Sequence, residues 1–432
     1  MKFSRRRALL FPIACSLLGS AIADAHDIVP GRPQTRPVLI ENATLHIGDG
    51  SVQKNTSLLF DQGVITRIGR GFTQPPRAIV IDGQGKHVYP GLIDAFTDLG
   101  LREITAVDVT VDSSERGDEN PNVRSWIAFN PDSELIPVAR AGGVLIAHIV
   151  PGGSWIRGQS ALMQLDGWGV KDMSIATPVG LCVDWETMVP RGRDAKENAK
   201  RYDEQITKID DLLDQARRYR DLRNADPDTP TDVRLESWIP VVDGARPVFV
   251  HADRMATIDS AIQFFTAREI PMVICGGADA MHCLDAIKAN DIPVILIGTY
   301  RLPRRRHDAY DAFYELPSQL HRAGVQFAIA GEGSGYPGGA SNVRNLPYHA
   351  GVAVAYGLDR EQAIRSITGS AAEILGVAER VGTLKTEKDA TLIVVDGDVL
   401  ESETNVVDAY VQGRQVDLSS RHRQLFKKYE QK

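Results

Sequence analysis

The feature that most constrains the fold is an alternation, through the middle of the chain, of short apolar runs with segments of helical periodicity. The apolar runs are HVYPGLI, GVLIAHIV, SALMQL, VGLCV, PVFVHA, PMVICG, IPVILIG and VQFAIAG. Continuous apolar strands that alternate with helices are typical of a buried parallel sheet in an α/β protein. Eight such strands predict a TIM-like (β/α)₈ barrel, which we place at residues 89–376.

Helical patterns lie between several of these runs. Asn130-Pro131-Asp132-Ser133 has the residues of a helix start, with a capping side chain followed by proline. Apolar spacings of three and four predict further helices at Ala256 to Glu269, Asp311 to Ala323 and Arg360 to Leu375. The long segment 190–238 contains a charged helix, for which a solvated outer face and a functional lid are both open interpretations.

The two ends of the chain share a different sequence pattern, that of short β-strands. Short β patterns broken by turn residues occur in VLIENATLHI, TSLLF, GVITRIG and AIVID, and again in TLIVVDGDV and DAYVQGRQV. We therefore predict a composite β-sandwich formed by residues 37–88 and 377–417, with the barrel inserted between its two parts. The basic tail, residues 418–432, is predicted to be a surface helix.

The N-terminus predicts an exported protein. Basic residues precede an apolar run that ends in small residues near Ala25, which is typical of a signal peptide over residues 1–25. The run is interrupted by Pro12 and is too short for a stable membrane span. SRRRALL is compatible with twin-arginine or general export, and Cys15 offers a less favoured lipoprotein cleavage site. Localisation is thus expected to be periplasmic or extracellular.

Composition narrows the partners and the stabilising chemistry. The 49 Lys+Arg against 56 Asp+Glu give a net charge of −7 without a basic stripe, which argues against a nucleic-acid partner. After signal cleavage, Cys182, Cys275 and Cys283 remain, too few for a disulfide framework. Stability is therefore expected to come from packing.

Several stretches, in order, resemble the amidohydrolase superfamily, and specifically its imidazolonepropionase-like branch. They are VLIENATLHIGDG, GVITRIG, PGLIDAFTDLG, NVRSWIAFNPDSE, IRGQSALMQLDGW, AAEILGV and RVGTLKTEKDATLIVVDGD. The resemblance covers roughly residues 37 to 416. It implies the barrel and sandwich described above, and hydrolysis of non-peptide or cyclic C–N bonds by water activated on one or two metal ions at the barrel mouth.

The resemblance also implies where metal ligands should stand, and this sequence departs from that pattern. The first-strand His-x-His pair falls on Phe96 and Asp98, and the fourth-strand ligand falls on Cys182. His251 keeps the fifth-strand histidine. The sixth-strand position is expected at Gly276, from which Cys275 alternates outward into a packing role. The eighth-strand carboxylate is expected at Glu332, and Asp184 shares the inward face of Cys182. Too few donors remain for a binuclear site.

Two interpretations stay open. In one, Asp98, Cys182, His251 and Glu332 hold a single zinc-like divalent ion, and Glu332 or Asp184 takes the proton from water. In the other, no metal is bound. Phe96 then plugs the mouth, Asp98 pairs with an arginine, Cys182 is a buried apolar residue and His251 is a core histidine.

The metal-free interpretation predicts a non-catalytic barrel that binds a small molecule, forms a homo-oligomer or joins an active relative. Under both interpretations we expect a small-molecule ligand. The candidate substrate-binding residues are Arg157, Gln159 and Arg301.

Overall fold

The computed structural model describes residues 29–71, 73–189, 194–333 and 338–432. The predicted signal peptide, residues 1–25, lies outside the described residues.

Strands and helices follow one another along the described chain in the predicted order. The strands are β1 Val38–His46, β2 Val52–Asp61, β3 Val64–Gly69, β4 Ile79–Asp82, β5 His87–Pro90, β6 Leu92–Thr97, β7 Val144–Ile149, β8 Ile156–Gln159, β9 Ala161–Gln164, β10 Ser174–Ala176, β11 Leu181–Asp184, β12 Val248–Ala252, β13 Met272–Gly276, β14 Val294–Ile297, β15 Phe327–Ala330, β16 Leu392–Val395, β17 Val406–Val411 and β18 Arg414–Gln415. The α-helices are α1 Ser125–Ala128, α2 Leu135–Ala141, α3 Val170–Met173, α4 Ala195–Ala225, α5 Val233–Glu236, α6 Ile239–Val242, α7 Met255–Thr266, α8 Leu284–Ala289, α9 Ala312–Ala323, α10 Leu346–Ala355, α11 Arg360–Ser366, α12 Gly369–Ile374 and α13 Arg421–Glu430. Short 3₁₀ turns occupy Asp108–Thr110, Trp185–Thr187, Ala280–Cys283 and Ala340–Asn345.

Strands from both ends of the chain form one sheet. Its order is β18-β17-β16-β5-β1-β2-β3, and β4 also pairs with β1. The two ends join where β16 pairs antiparallel with β5, placing Ile393 opposite Tyr89. Ile40, Leu58 and Phe60 from the first part pack with Tyr410 from the second in one apolar cluster. The chain ends thus meet as expected, while the division of this sheet into a two-layered sandwich stays a prediction.

The middle of the chain forms the parallel strands that the apolar runs predict. β11 to β15 are parallel neighbours in sequence order, and β6 is parallel to β7. β15 contacts β6, so the last strand of this region lies against the first. Buried residues of these strands and of the covering helices form the largest apolar core of the described chain. A parallel sheet needs helices on its faces, which explains why its strands are apolar throughout.

The third predicted strand runs in the opposite direction from its neighbours, which corrects the all-parallel expectation. β9 is antiparallel to β7, and β8 is antiparallel to β11. Only residues 150–160, which include β8, separate β7 from its partner β9. A connection this short cannot hold the crossover that a parallel neighbour requires, so the chain turns back as a hairpin.

The helices largely confirm the periodicity. α7 and α9 match two predicted helices, whereas the predicted helix over 360–375 divides into α11 and α12. In α4, the Asp194 carboxylate caps the first turn, and one face is buried through Ile209, Leu213 and Ala216. The remaining surface of α4 is charged and solvated. None of the described helices combines the length and apolar character needed to cross a membrane.

Candidate functional site

A cavity of about 370 Å³ lies beyond the carboxyl ends of the parallel strands, where open α/β folds bind ligands. It is lined by Phe96, Arg157, His251, Ile297, Gly298, Tyr300, Arg301, Glu332 and His349. Four predicted site residues, Arg157, His251, Arg301 and Glu332, therefore meet in one space. Phe96 also lines this cavity, at the mouth where the sequence predicts it.

Asp184 connects the histidine and one arginine of this cavity. It ends β11 directly opposite His251 on β12, and His251 Nδ1 lies 3.4 Å from Asp184 Oδ1. The Arg157 guanidinium on β8 donates to the other oxygen, Oδ2. Burial alone would raise the pKa of Asp184, but the hydrogen bond and charge from His251 and Arg157 outweigh it and lower that pKa. Asp184 is thus held ionised as the partner of two donors.

Asp98 lies in the core, away from the lining of this cavity. Its side chain is 0% exposed, and Oδ2 accepts a hydrogen bond of 2.9 Å from Arg102 Nε. The Arg102 guanidinium also donates to Ser113 Oγ at 3.1 Å. This is the arginine pairing that the metal-free interpretation predicts for Asp98.

Cys182 belongs to a neutral hydrogen-bonded chain inside the strands. Its thiol lies in hydrogen-bond contact with Ser160, and burial raises its pKa to about 12. The Ser160 hydroxyl lies 2.8 Å from His148 Nε2, and His148 Nδ1 lies 2.8 Å from the Ala95 carbonyl oxygen. A carbonyl only accepts, so Nδ1 carries the proton. Burial lowers the pKa of His148 to about 4, and this row of hydrogen-bonded side chains, the neutral chain, therefore carries no charge at neutral pH.

In β13, the sixth predicted strand, the residue that faces inward is not the predicted one. Cys275, and not Gly276, stands opposite His251 in the parallel register, so Cys275 shares the inward side. Burial raises the pKa of the Cys275 thiol well above its usual value. Gly276 has φ +106°, and a Cβ there would lie 2.7 Å from Asp253 Oδ1. The glycine is needed for this close approach of the Asp253 carboxylate.

The remaining predicted residues have partners of their own. Glu332 is exposed and accepts from Asn342 Nδ2 at 2.8 Å. Arg301 Nη2 donates to Asp253 Oδ2 at 3.0 Å, and its guanidinium lies 4.9 Å from the Phe313 ring centroid.

Gln159 lies elsewhere. Its Nε2 donates to Ser237 Oγ at 2.9 Å, and it lines a separate cavity of about 240 Å³ together with Arg124 and Arg246.

The predicted donors do not fit a metal ion. Across the described ranges, no three His, Cys, Asp or Glu side chains gather closely enough to hold one. His251 and Glu332 share the cavity, but Asp98 faces Arg102 and Cys182 is a protonated thiol in the neutral chain. A zinc ion requires converging, deprotonated ligands, which this arrangement does not supply.

Sequence reasoning missed His349, which lines the cavity from α10 and is 0% exposed. A single histidine within the apolar helical stretch LPYHAGVAVA is more typical of a core position than of a ligand site. Tyr300 was also missed, although it directly precedes the predicted Arg301. Only their positions around the cavity identify these two residues.

Comparison with known proteins adds an independent line of observation. Residues 255–416 match the amidohydrolase family. Amidohydrolase tasK of Hapsidospora irregularis is 22% identical over 431 residues and covers 88% of this chain. The chain spans 43% of the length of that relative.

Solved structures give the same picture of the fold. An amidohydrolase from Thermotoga maritima MSB8 has a TM-score of 0.75 and 25% identity, covering 88% of this chain and 99% of its own. A Xaa-Pro dipeptidase with bound methionine (TM-score 0.53, 16% identity, 88% and 100% covered) and molinate hydrolase (0.53, 14%, 90% and 96%) share the fold more distantly. These likenesses imply an α/β fold with a TIM-like barrel.

Proposed function

We propose that this chain is an exported hydrolase of the amidohydrolase superfamily and of its imidazolonepropionase-like branch. The proposal is supported by the match of residues 255–416 to the amidohydrolase family and by the structural likeness to an amidohydrolase from Thermotoga maritima MSB8. The proposed substrate carries a non-peptide or cyclic C–N bond, and the reaction proceeds without the usual binuclear metal site of the superfamily. The observation that carries this proposal is the mouth cavity, in which His251, held by Asp184, faces the same space as Arg157 and Arg301.

His251 is the proposed general base. Asp184 accepts from its Nδ1, which leaves Nε2 as the basic nitrogen. Nε2 takes one proton from a water molecule as the water oxygen bonds to the carbonyl carbon, and the imidazolium returns that proton to the leaving nitrogen as the C–N bond breaks. Asp184 itself is a poor base because its pKa is lowered, so its role is to orient the ring and stabilise its charge.

The arginines have a second role in this proposal. The carbonyl oxygen gains negative charge in the transition state, and N–H donors that are already oriented towards it stabilise that charge. Arg157 is anchored by Asp184 and Arg301 by Asp253, so neither side chain has to be ordered when the substrate binds. Glu332, held by Asn342 at the exposed side, contributes to the wall of the cavity.

A second candidate function is a non-catalytic barrel that binds a small molecule, alone, as a homo-oligomer or with an active relative. The observation that favours it is that both inward carboxylates of the predicted site, Asp98 and Asp184, are engaged by arginines.

Turnover and metal analysis of the mature chain separate the candidates. We expect hydrolysis of members of a panel of N-acyl amines, lactams and cyclic imides in the presence of chelator. Replacing the base by His251→Gln should lower the rate by about 10²–10⁴-fold. The matched control is His307→Gln, a histidine whose side chain is 81% exposed.

Three outcomes would contradict the metal-free hydrolase. Near-stoichiometric zinc whose removal abolishes turnover would support a mononuclear site. Full activity in His251→Gln would remove the proposed base. No turnover of any panel member, with ligand binding intact, would support the non-catalytic barrel.

A further inference from the structure

The buried histidine of the mouth cavity has one nitrogen fully used by the protein. The Thr299 backbone N–H donates to His349 Nδ1 at 3.1 Å, and the Thr299 hydroxyl lies 2.9 Å from the His349 carbonyl oxygen. A backbone N–H can only donate, so Nδ1 must be the unprotonated nitrogen. The proton of the neutral ring is therefore on Nε2.

Its second nitrogen is a donor that the protein does not satisfy. Nε2 is buried, and among the described residues it has no hydrogen-bond partner. Burial also lowers the pKa of His349 to about 4, which keeps the ring neutral. Most buried polar atoms are satisfied in folded proteins, and an unsatisfied one beside a cavity points to a ligand.

The cavity contains a second donor of the same kind. Arg157 Nε is buried without a partner in the described part of the chain, while Nη2 of the same side chain is occupied by Asp184. Arg301 adds a guanidinium to the same wall. Glu332 lines the same cavity, but neither nitrogen donates to it, and its Oε2 accepts from Asn342 Nδ2 at 2.8 Å. The groups that await a partner are thus donors, and they require an acceptor.

We propose that the cavity recognises a carboxylate of its ligand, with His349 Nε2 as a neutral donor alongside the arginines Arg157 and Arg301. A carboxylate offers two oxygens and about four lone pairs, which suits several converging N–H groups. His349 then determines specificity, because a carboxamide in the same place would bring its own N–H₂ group against these donors. This inference rests on the proposed function and deepens it by naming the substrate class. It uses the same cavity and the same two arginines, each of which has several N–H groups to donate.

Two substitutions separate the roles of the two ring nitrogens. His349→Asn places an oxygen near Nδ1, which keeps the acceptor for Thr299 and removes the donor at Nε2. His349→Gln places an N–H₂ group near Nε2, which keeps the donor and removes the acceptor. We expect His349→Asn to fold with unchanged stability and His349→Gln to be less stable.

Binding is measured by calorimetry on the mature chain with His251→Gln as the common background, so that the probes are not hydrolysed. A series of N-acetyl amino acids serves as carboxylate probes, and their primary amides serve as matched neutral probes. We expect the acids, and not the amides, to bind. Affinity for the acids should fall about 10- to 100-fold in His349→Asn and be largely kept in His349→Gln, as for a hydrogen bond to a charged group.

Several results would overturn the inference: no binding of any acid, equal binding of acids and amides, or an unchanged affinity in His349→Asn. Its failure is distinguishable from failure of the proposed function because no turnover is measured. Acid binding without hydrolysis would contradict only the hydrolase, whereas hydrolysis without preferential binding of the acids would contradict only the carboxylate site.

Discussion

The Asp98–Arg102 pair yields the sharpest prediction, because the chain also contains an exposed pair with the same spacing and the same N–O distance. Asp98 is 0% and Arg102 17% exposed, with 2.9 Å between Nε and Oδ2. Arg201 and Glu197 on α4 are also four residues apart with an N–O distance of 2.9 Å, but are 62% and 50% exposed. The two pairs have the same contact in different environments.

We expect Arg102→Met to destabilise the protein by about 3–5 kcal/mol, because the buried carboxylate loses its guanidinium. The same magnitude follows from Coulomb's law, which gives about 4 kcal/mol for unit charges about 4 Å apart at an effective dielectric constant of about 20. Arg201→Met, where water screens both charges, should cost about 0–1 kcal/mol.

The assay is urea unfolding at neutral pH, with the double variant Asp98→Asn/Arg102→Met added. Asparagine carries no charge, so the double variant should recover most of the stability that Arg102→Met loses. A loss below about 1 kcal/mol in Arg102→Met, or a double variant no more stable than Arg102→Met, would refute the assignment of Asp98 to a buried ion pair.

Three further predictions follow from buried groups and from one close backbone approach. The pKa of His148 is about 4 in the folded chain and 6.5 in the unfolded chain. As the pH is lowered, the unfolded state therefore binds the proton first, and the stability of the folded state decreases. Urea unfolding should show about 2 kcal/mol lost through this group between about pH 7.5 and about pH 5, and His148→Asn should flatten that slope. Gly276→Ala should lower stability by about 1–3 kcal/mol in the same assay, whereas Gly169→Ala, whose Cβ meets open space, should be near neutral. Cys182, Cys275 and Cys283 of the mature chain are buried, so a thiol reagent should label none of them quickly until denaturant is added; fast labelling of the native mature chain would contradict their burial.

The sequence by itself determined the elements and much of the cavity. Period-two alternation along PVFVHA and LIDAFT places His251 and Phe96 on inward faces, because backbone geometry fixes that period without reference to other strands. The N-cap of α4 and the apolar face of that helix follow from local rules in the same way. The likeness of the two chain ends predicted that they would meet, and they do.

The tertiary structure decided which side chains meet. Asp98 and Arg102 are four residues apart, but the sequence does not say that the pair is buried. Cys275 faces inward because the register of β13 with β12 and the backbone conformation of Gly276 place it there. The predicted alternation was counted from Gly276, and it therefore placed Cys275 on the wrong side of the strand.

His349 lies 98 residues beyond His251 on a helix, and only the packing of that helix brings it to the cavity. The periodicities of helices and strands depend only on the local sequence, so they can be predicted from it. Contacts between distant side chains depend on register, strand direction and helix packing, and these are fixed only when the whole chain is folded.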